Sequence, residues 1–187
     1  LYATSKANAP VGSTDEFMSN LSAAARLDLY EHNDQKLSYV VASLNEGGEA
    51  YRAQADEYAA QLAGAQSNTI PRYLVGYYLQ TEQYDKAIDE AILGASYSAS
   101  DADTWDDCAA LLNEALFQNM LTPLLTEERA ALMAKLTEYY DALQAYNASA
   151  LVPVELSESA QAFFDKIVIL NGCMDDDRRF AETLFTA

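Results

Sequence analysis

Histidine and cysteine are nearly missing from this sequence, with one His and two Cys in 187 residues. That leaves little material for a His-based catalytic site or a thiolate metal site. Basic residues are scarce as well: 11 Lys and Arg stand against 29 Asp and Glu, for a formal charge of −18. A field of that sign opposes binding to phosphate backbones and to anionic membrane surfaces, so nucleic-acid binding is excluded. No apolar run approaches the roughly 18 residues that a spanning helix needs, and none of this chain is expected to insert into a membrane. Gly and Pro total 11, and Val and Ile together 12, whereas Ala alone numbers 33. This is the composition of helices packed through small side chains, not of a sheet. The acidity does not signal disorder, because 11% aromatic content and abundant Leu can supply a core. The length suits one ordinary domain.

Cys108 and Cys173 lie 65 positions apart, with no CxxC or Cys/His cluster beside either. Cys108 falls in the apolar pattern of Trp105, Ala109 and Leu112, which predicts a buried free thiol. Cys173 follows the helix-stop pair Asn171-Gly172 and is expected to be more accessible. Sequence leaves open whether the two pair. The chain opens Leu1-Tyr2-Ala3-Thr4, with no initiator Met and no signal-peptide pattern. Residues 1–12 read as a linker, so the sequence reads as a piece of a longer protein whose anchor lies outside it.

Punctuation by Pro and Gly, with apolar spacing, divides residues 13–187 into about eight helices in a single domain. Thr14-Asp15-Glu16 opens a helix to about Leu27. A second runs from Lys36 to Leu44, stopped by Gly47-Gly48. The third, Glu49 to Ala63, carries Tyr51, Ala55, Tyr58 and Leu62 on one face. Ser67-Asn68-Thr69 starts a fourth, with Pro71 in its first turn where the missing N–H costs nothing. After a break at Thr81-Glu82-Gln83 comes a fifth with Tyr84, Ala87, Ile88, Ala91 and Ile92. Asp101 or Asp103 caps the sixth, which holds Trp105, Ala109, Leu112 and Leu116, and Pro123 then breaks the chain. Thr126-Glu127-Glu128 starts the longest helix, through Leu132, Leu136, Tyr140 and Leu143. Ser157 caps the last apolar helix, 157–171, with Phe163, Phe164, Ile167 and Leu170. Short connections favour antiparallel neighbours.

Helices of this size in alternation invite a search for a period. Between Tyr77 and Ile88 the sequence resembles the junction between the two helices of a tetratricopeptide repeat. An aromatic, Tyr78, precedes a short polar turn; Tyr84 opens the second helix; and Ala87, three residues on, lets the helices approach. The leading Trp of the following repeat falls on Trp105. Gly76 is one place late for the family's glycine, and Ala99 stands where Pro commonly ends the unit. Units near 35–66, 71–100 and 103–147 recur at about the family's period, with 157–171 as a capping helix. The expected fold is therefore all-α, an antiparallel helix-pair solenoid.

A longer stretch carries a second resemblance. Leu27-Asp28-Leu29-Tyr30-Glu31-His32-Asn33-Asp34 runs into Lys36-Leu37-Ser38-Tyr39-Val40. Ser67-Asn68-Thr69-Ile70-Pro71, Tyr73-Leu74, Tyr77-Tyr78 and Ser100-Asp101 follow. Over roughly residues 15–120 this is similar to the soluble C-terminal repeat region of bacterial O-antigen ligase/polymerase-like membrane proteins. The resemblance implies a non-catalytic, extracytoplasmic appendage tethered to the membrane through a segment absent here. Its partners would be a protein or the cell-envelope glycan machinery. No catalytic residue, cofactor or metal is carried over, because the glycan-transfer chemistry of such proteins lies in their membrane portion. The chain is expected to be a monomer.

Candidate binding residues are few. The aromatics named above are expected to be mainly helix-packing residues. Tyr73 and Tyr77, one turn apart, are the pair proposed to line a concave groove, with Asn113 and Asn119 as polar contacts. A carbohydrate-binding lipoprotein, or a small helical envelope enzyme using a Tyr-rich face, is the competing expectation. Asp101-Ala102-Asp103 with Asp106-Asp107 fails as a calcium loop, since the sixth and twelfth positions are Asp106 and Leu112 where Gly and Glu are needed. These acids are expected to serve helix starts. Asp175-Asp176-Asp177-Arg178-Arg179 reads as a solvated turn opening a short terminal helix. His32, in a polar turn, reads as a surface histidine.

Overall fold

The computed structural model describes residues 52–63 and 70–185. The chain divides into two compact units, 1–63 and 64–187. The expected helices at 14–27 and 36–44, His32, the start signal Ser67-Asn68-Thr69 and most of the unit at 35–66 lie outside the described residues. The described secondary structure is entirely helical, and no helix among these residues is long and apolar enough to cross a membrane.

In the first unit, α1 (Arg52–Leu62) buries Ala55, Ala59 and Leu62. Their spacing of four and three residues is one face of a 3.6-residue helix. Arg52 Nε donates to Asp56 Oδ2 at 3.1 Å one turn on, the spacing that brings side chains into reach.

The second unit contains seven described helices: α2 (Ile70–Gln80), α3 (Tyr84–Tyr97), α4 (Ala102–Phe117), α5 (Leu121–Leu124), α6 (Arg129–Ser149), α7 (Glu158–Asn171) and α8 (Asp177–Phe185). The three-residue turn at 81–83 folds α3 back along α2. Both then pack on α4, while α6 packs on α3, and α7 packs on α4, α6 and α8. Pro71 does lie in the first turn of α2. Asp101 caps α4, accepting from the Asp103 N–H at 3.3 Å and the Thr104 hydroxyl at 3.0 Å. Ser157 Oγ accepts from the Ala160 N–H and caps α7. Such caps satisfy N–H groups that a helix start otherwise leaves bare.

Small residues set the α2–α3 distance. Ala87, Ala91, Gly94 and Ala95 form the buried stripe of α3. A Cβ built on Gly94 would stand 3.0 Å from Pro71 Cβ and 3.8 Å from a Thr104 methyl. A proline ring cannot swing aside, so Gly94 is what lets α2 lie this close to α3, whereas the Thr104 methyl of α4 would be at ordinary contact distance.

Aromatic side chains fill the space among α4, α6 and α7. Trp105 stacks on Tyr139 with centroids 5.4 Å apart and 20° between planes. Phe164 packs on Tyr139 at 5.2 Å, and Phe163 packs on Phe164 at 5.2 Å. The indole N–H donates to the Ala99 carbonyl at 3.0 Å, so the ring is buried without stranding its polar atom.

Four expectations need correction. The fully buried tyrosine of α6 is Tyr139, while Tyr140 is half-buried with its ring 6.4 Å from that of Phe164. Both fall on the arc spanned by Leu132, Met133, Leu136 and Leu143, so the helix period alone does not choose between them. Thr126-Glu127-Glu128 precede the longest helix instead of forming its first turn: α6 begins at Arg129 with no side-chain cap, and the Thr126 hydroxyl donates to the Pro123 carbonyl. Pro123 does not simply break the chain but sits inside the single turn of α5. Cys173 is not accessible but 3% exposed, its thiol donating to the Ile169 carbonyl at 3.1 Å. Burial follows from α8 docking on α7. Both cysteines are free thiols.

Burial pushes the Cys108 thiol up to about 12, with the Asp107 charge acting in the same direction. The unfolded chain ionises this thiol near its ordinary value of about 8.5, so above that pH the native state holds the extra proton. Stability should be unaffected by this group below about pH 8 and fall by about 1.4 kcal/mol per pH unit from roughly pH 9 towards 12. Tyr139, raised by burial, adds a loss of the same sign above about pH 10. Urea unfolding between pH 7 and 11 measures the slope. Cys108→Ala should flatten the first part of it, and a wild-type stability that stays level to pH 11 would contradict the assignment.

Candidate functional site

The described part of the second unit, residues 70–185, holds 20 acidic and 7 basic side chains. Its cations are largely engaged in ties between elements. Arg72 on α2 pairs with Asp107 on α4, and that bond, with a contact from the Tyr73 hydroxyl, raises its pKa. Lys135 on α6 pairs with Asp89 on α3, which raises the lysine's pKa. Arg129 pairs with Asp177 at 2.7 Å. Lys166 lies 4.0 Å over the Phe117 ring, and burial lowers its pKa.

The acidic motifs are likewise spent separately. Asp101 caps α4, Asp107 holds Arg72, and Asp106 accepts from the Ser157 N–H with both oxygens at 3.1 Å. At the other run, Asp176 accepts from the Arg179 N–H at 3.0 Å, capping α8. No group of three His, Cys, Asp or Glu among the described residues is placed to hold a metal ion.

One concave region, of about 420 Å³, lies where Leu125, Thr126 and Glu127 face Met174, Asp175 and Asp177, with Arg129 already spanning it to Asp177. Another is built around Tyr84. The preceding turn ends α2 with two backbone bonds, Glu82 N–H to the Leu79 carbonyl at 3.2 Å and Gln83 N–H to the Tyr78 carbonyl at 2.8 Å. This pair of bonds requires a left-handed residue at the helix end, normally Gly. Here the residue is Glu82, with φ of 58°. Thr81 Oγ1 donates to the Tyr77 carbonyl at 2.9 Å, and Gln83 Nε2 donates to Thr81 Oγ1 at 3.0 Å, fixing the turn. Tyr84 follows with its ring buried, and its hydroxyl donates to the Asn119 carbonyl at 2.6 Å. That bond ties the α2–α3 turn to the α4–α5 connection.

A cleft of about 740 Å³ opens there, lined by Glu82 and Tyr84, by Gln118, Asn119, Thr122 and Pro123, and by Glu128 at the start of α6. A second recess of about 400 Å³ shares Glu82, Tyr84 and Glu128 and adds Asp85, Lys86 and the apolar Ala131 and Leu132. Burial, then the Glu82 and Glu128 charges, raise the Tyr84 hydroxyl above its ordinary value. The phenol therefore stays a neutral donor. Chemically the cleft offers carboxylates, amides and a hydroxyl, which suit a cationic, hydrogen-bonding guest.

A left-handed backbone costs a non-glycine residue about 1–2 kcal/mol, and glycine gives back part of this through the freedom it gains when unfolded. Glu82→Gly should therefore stabilise the fold by about 0.5–1 kcal/mol. Denaturant midpoints would measure it, and a loss of stability would contradict the turn geometry.

Of the residues proposed for a groove, Tyr77 is fully buried and packs edge-on against Tyr78 at 5.5 Å. Tyr73 is half-buried, its ring beneath the Arg72 guanidinium at 5.1 Å. Asn113 is half-buried on α4, and only Asn119 lines the cleft. Sequence reasoning did not bring Glu82, Tyr84 and Glu128 together. An available signal was the Glu at a helix-stop position where Gly is the usual residue. The chain matches no protein-family model, no curated protein and no solved structure.

Proposed function

We propose that this chain is a non-catalytic, tetratricopeptide-like interaction domain of a membrane-anchored cell-envelope protein. The observation that carries the reading is the way α2, α3 and α4 pack, a helical hairpin with the next helix against both members. Several motif positions support the reading. Tyr78 lies near the end of the first helix, Tyr84 opens the second, and Ala87 and Gly94 belong to the small-residue stripe at the helix contact. Trp105 anchors the following helix in the aromatic core. Repeats of this kind expose extended surfaces to other proteins. The similarity of residues 15–120 to the appendage of O-antigen ligase/polymerase-like proteins supports an extracytoplasmic position and a partner in the glycan machinery.

The test is affinity capture from detergent-solubilised bacterial envelopes on the immobilised domain. One protein should be retained at a saturable ratio and displaced by excess free domain. Failure to retain any displaceable protein, or glycan-bond formation or cleavage by the isolated chain, overturns the proposal.

A further inference from the structure

We propose that the cleft around Tyr84 is the docking site for an Arg- or Lys-bearing segment of the partner polypeptide. The inference rests on the interaction-domain reading and names the chemistry that the domain selects.

Charge is the first argument. Glu82 and Glu128 both line the cleft and its neighbouring recess, and Asp85 lines the recess. Among the described residues, neither Glu82 nor Glu128 forms an ion pair. Lys86, the cation lining the recess, is already occupied: its ammonium donates to Gln83 Oε1 at 2.6 Å and lies 5.4 Å from the Tyr78 ring centre. Glu82 and Glu128 are exposed at the cleft, and carboxylates that lack an internal counter-charge favour an incoming cation.

The kind of cation follows from the lining. Glu82 comes from the α2–α3 turn and Glu128 from the start of α6, and they do not converge tightly enough with other acids to hold a metal ion. Carboxylates supplied by two different elements beside apolar walls suit a guest with a charged head on an apolar stem, as an arginine or lysine side chain has. The walls fit both ends of such a chain. Pro123, Ala131 and Leu132 offer apolar surface to its methylene stem. Gln118 and Asn119 add hydrogen-bonding amides beside the carboxylates, which suit a guanidinium's fixed fork of donors. The two recesses, on a shared border of Glu82, Tyr84 and Glu128, leave room for more than one basic side chain of a polypeptide.

The test is an NMR titration of the full chain with a synthetic Gly-Ser-Arg-Ser-Gly-Arg-Ser-Gly peptide. Its twin carries citrulline for each arginine, keeping shape but not charge. Shifts should map to Glu82, Tyr84, Asn119 and Glu128, and the citrulline peptide should bind at least tenfold more weakly. The double substitution Glu82→Gln, Glu128→Gln should also weaken binding at least tenfold. Asp141→Asn with Glu155→Gln, the same charge change at exposed sites outside the cleft, should weaken it less than threefold. Equal weakening by the two double variants, or no binding of the arginine peptide, overturns the cleft assignment. Spermidine binding more tightly than the peptide overturns the choice of a polypeptide. Glu82→Gly should weaken binding while raising stability, so that loss of binding is not loss of fold; unchanged binding in this variant counts against the site. The capture experiment separates the two levels of the argument. A partner retained equally by the Glu82→Gln, Glu128→Gln protein overturns the cleft alone, whereas capture of nothing by wild type overturns the reading beneath it.

Discussion

Trp105→Ala should destabilise the second unit by about 3–5 kcal/mol, the range for removing a large aromatic from a packed core. The side chain is 1% exposed and lies between Tyr139 and Phe164 at centroid distances of 5.4 and 6.3 Å. Three helices meet there, so no one of them can shift to fill the void without opening another contact. The substitution also takes the indole N–H from the Ala99 carbonyl, in the loop that leads into the Asp101 cap. Against a typical total stability of about 5–15 kcal/mol, the loss is large enough to leave much of the protein unfolded near its growth temperature. Trp105→Phe keeps a ring in the stack and should cost less than half as much. Since Trp105 is the chain's single tryptophan, unfolding of the variants has to be followed by far-ultraviolet circular dichroism. A loss below 1 kcal/mol for the alanine variant would show that the stack is not the centre of the core.

Arg129→Ala should release the C-terminal helix, at a cost of about 2–3 kcal/mol, typical of removing a largely buried, hydrogen-bonded charged group. The Arg129 side chain is 13% exposed. Its Nε donates to the Leu124 carbonyl at 2.9 Å, Nη1 reaches the Met174 carbonyl at 3.4 Å, and its guanidinium lies 4.4 Å from the Phe180 ring centre. One side chain thus closes α5, receives the loop after α7 and covers the buried aromatic of α8. Most of its contribution comes from the carbonyls and the ring. The Asp177 carboxylate is 90% exposed and screened by solvent, so Asp177→Asn should change stability little. Hydrogen exchange across residues 177–185 is the specific readout. Faster exchange there than in α2 and α3 is expected for Arg129→Ala. Uniform acceleration throughout would mean that Arg129 supports the whole core instead.

The candidate site was far less legible than the helices, and the reason is distance along the chain. Tyr84 and Asn119 are 35 residues apart, yet joined by a hydrogen bond of 2.6 Å. Glu128 reaches the same cleft from α6. No local pattern encodes that meeting. The Tyr pair chosen on α2 illustrates the opposite error. Periodicity marks Tyr73 and Tyr77 as neighbours, but it does not say which of two faces a helix turns to solvent. Since α2 packs against both α3 and α4, Tyr77 is enclosed. The Tyr139 and Tyr140 pair is a finer case: two adjacent tyrosines on the inward arc of one helix, of which only Tyr139 is fully buried.

What the sequence determined by itself is what short-range chemistry determines. Asp101 and Ser157 cap their helices, Pro71 sits in a first turn, and Asn171-Gly172 ends α7, because each effect acts within about one turn of backbone. The acidity, too, is local in part, since Asp101 and Asp176 serve helix starts. Only the tertiary structure decided the rest. It turned Cys173 inward under α8, paired Arg72 with Asp107 and Lys135 with Asp89, and left Glu82 and Glu128 around one cleft. Those outcomes depend on which helices touch. That choice is made by summed apolar burial over many residues, to which any single charged side chain contributes little.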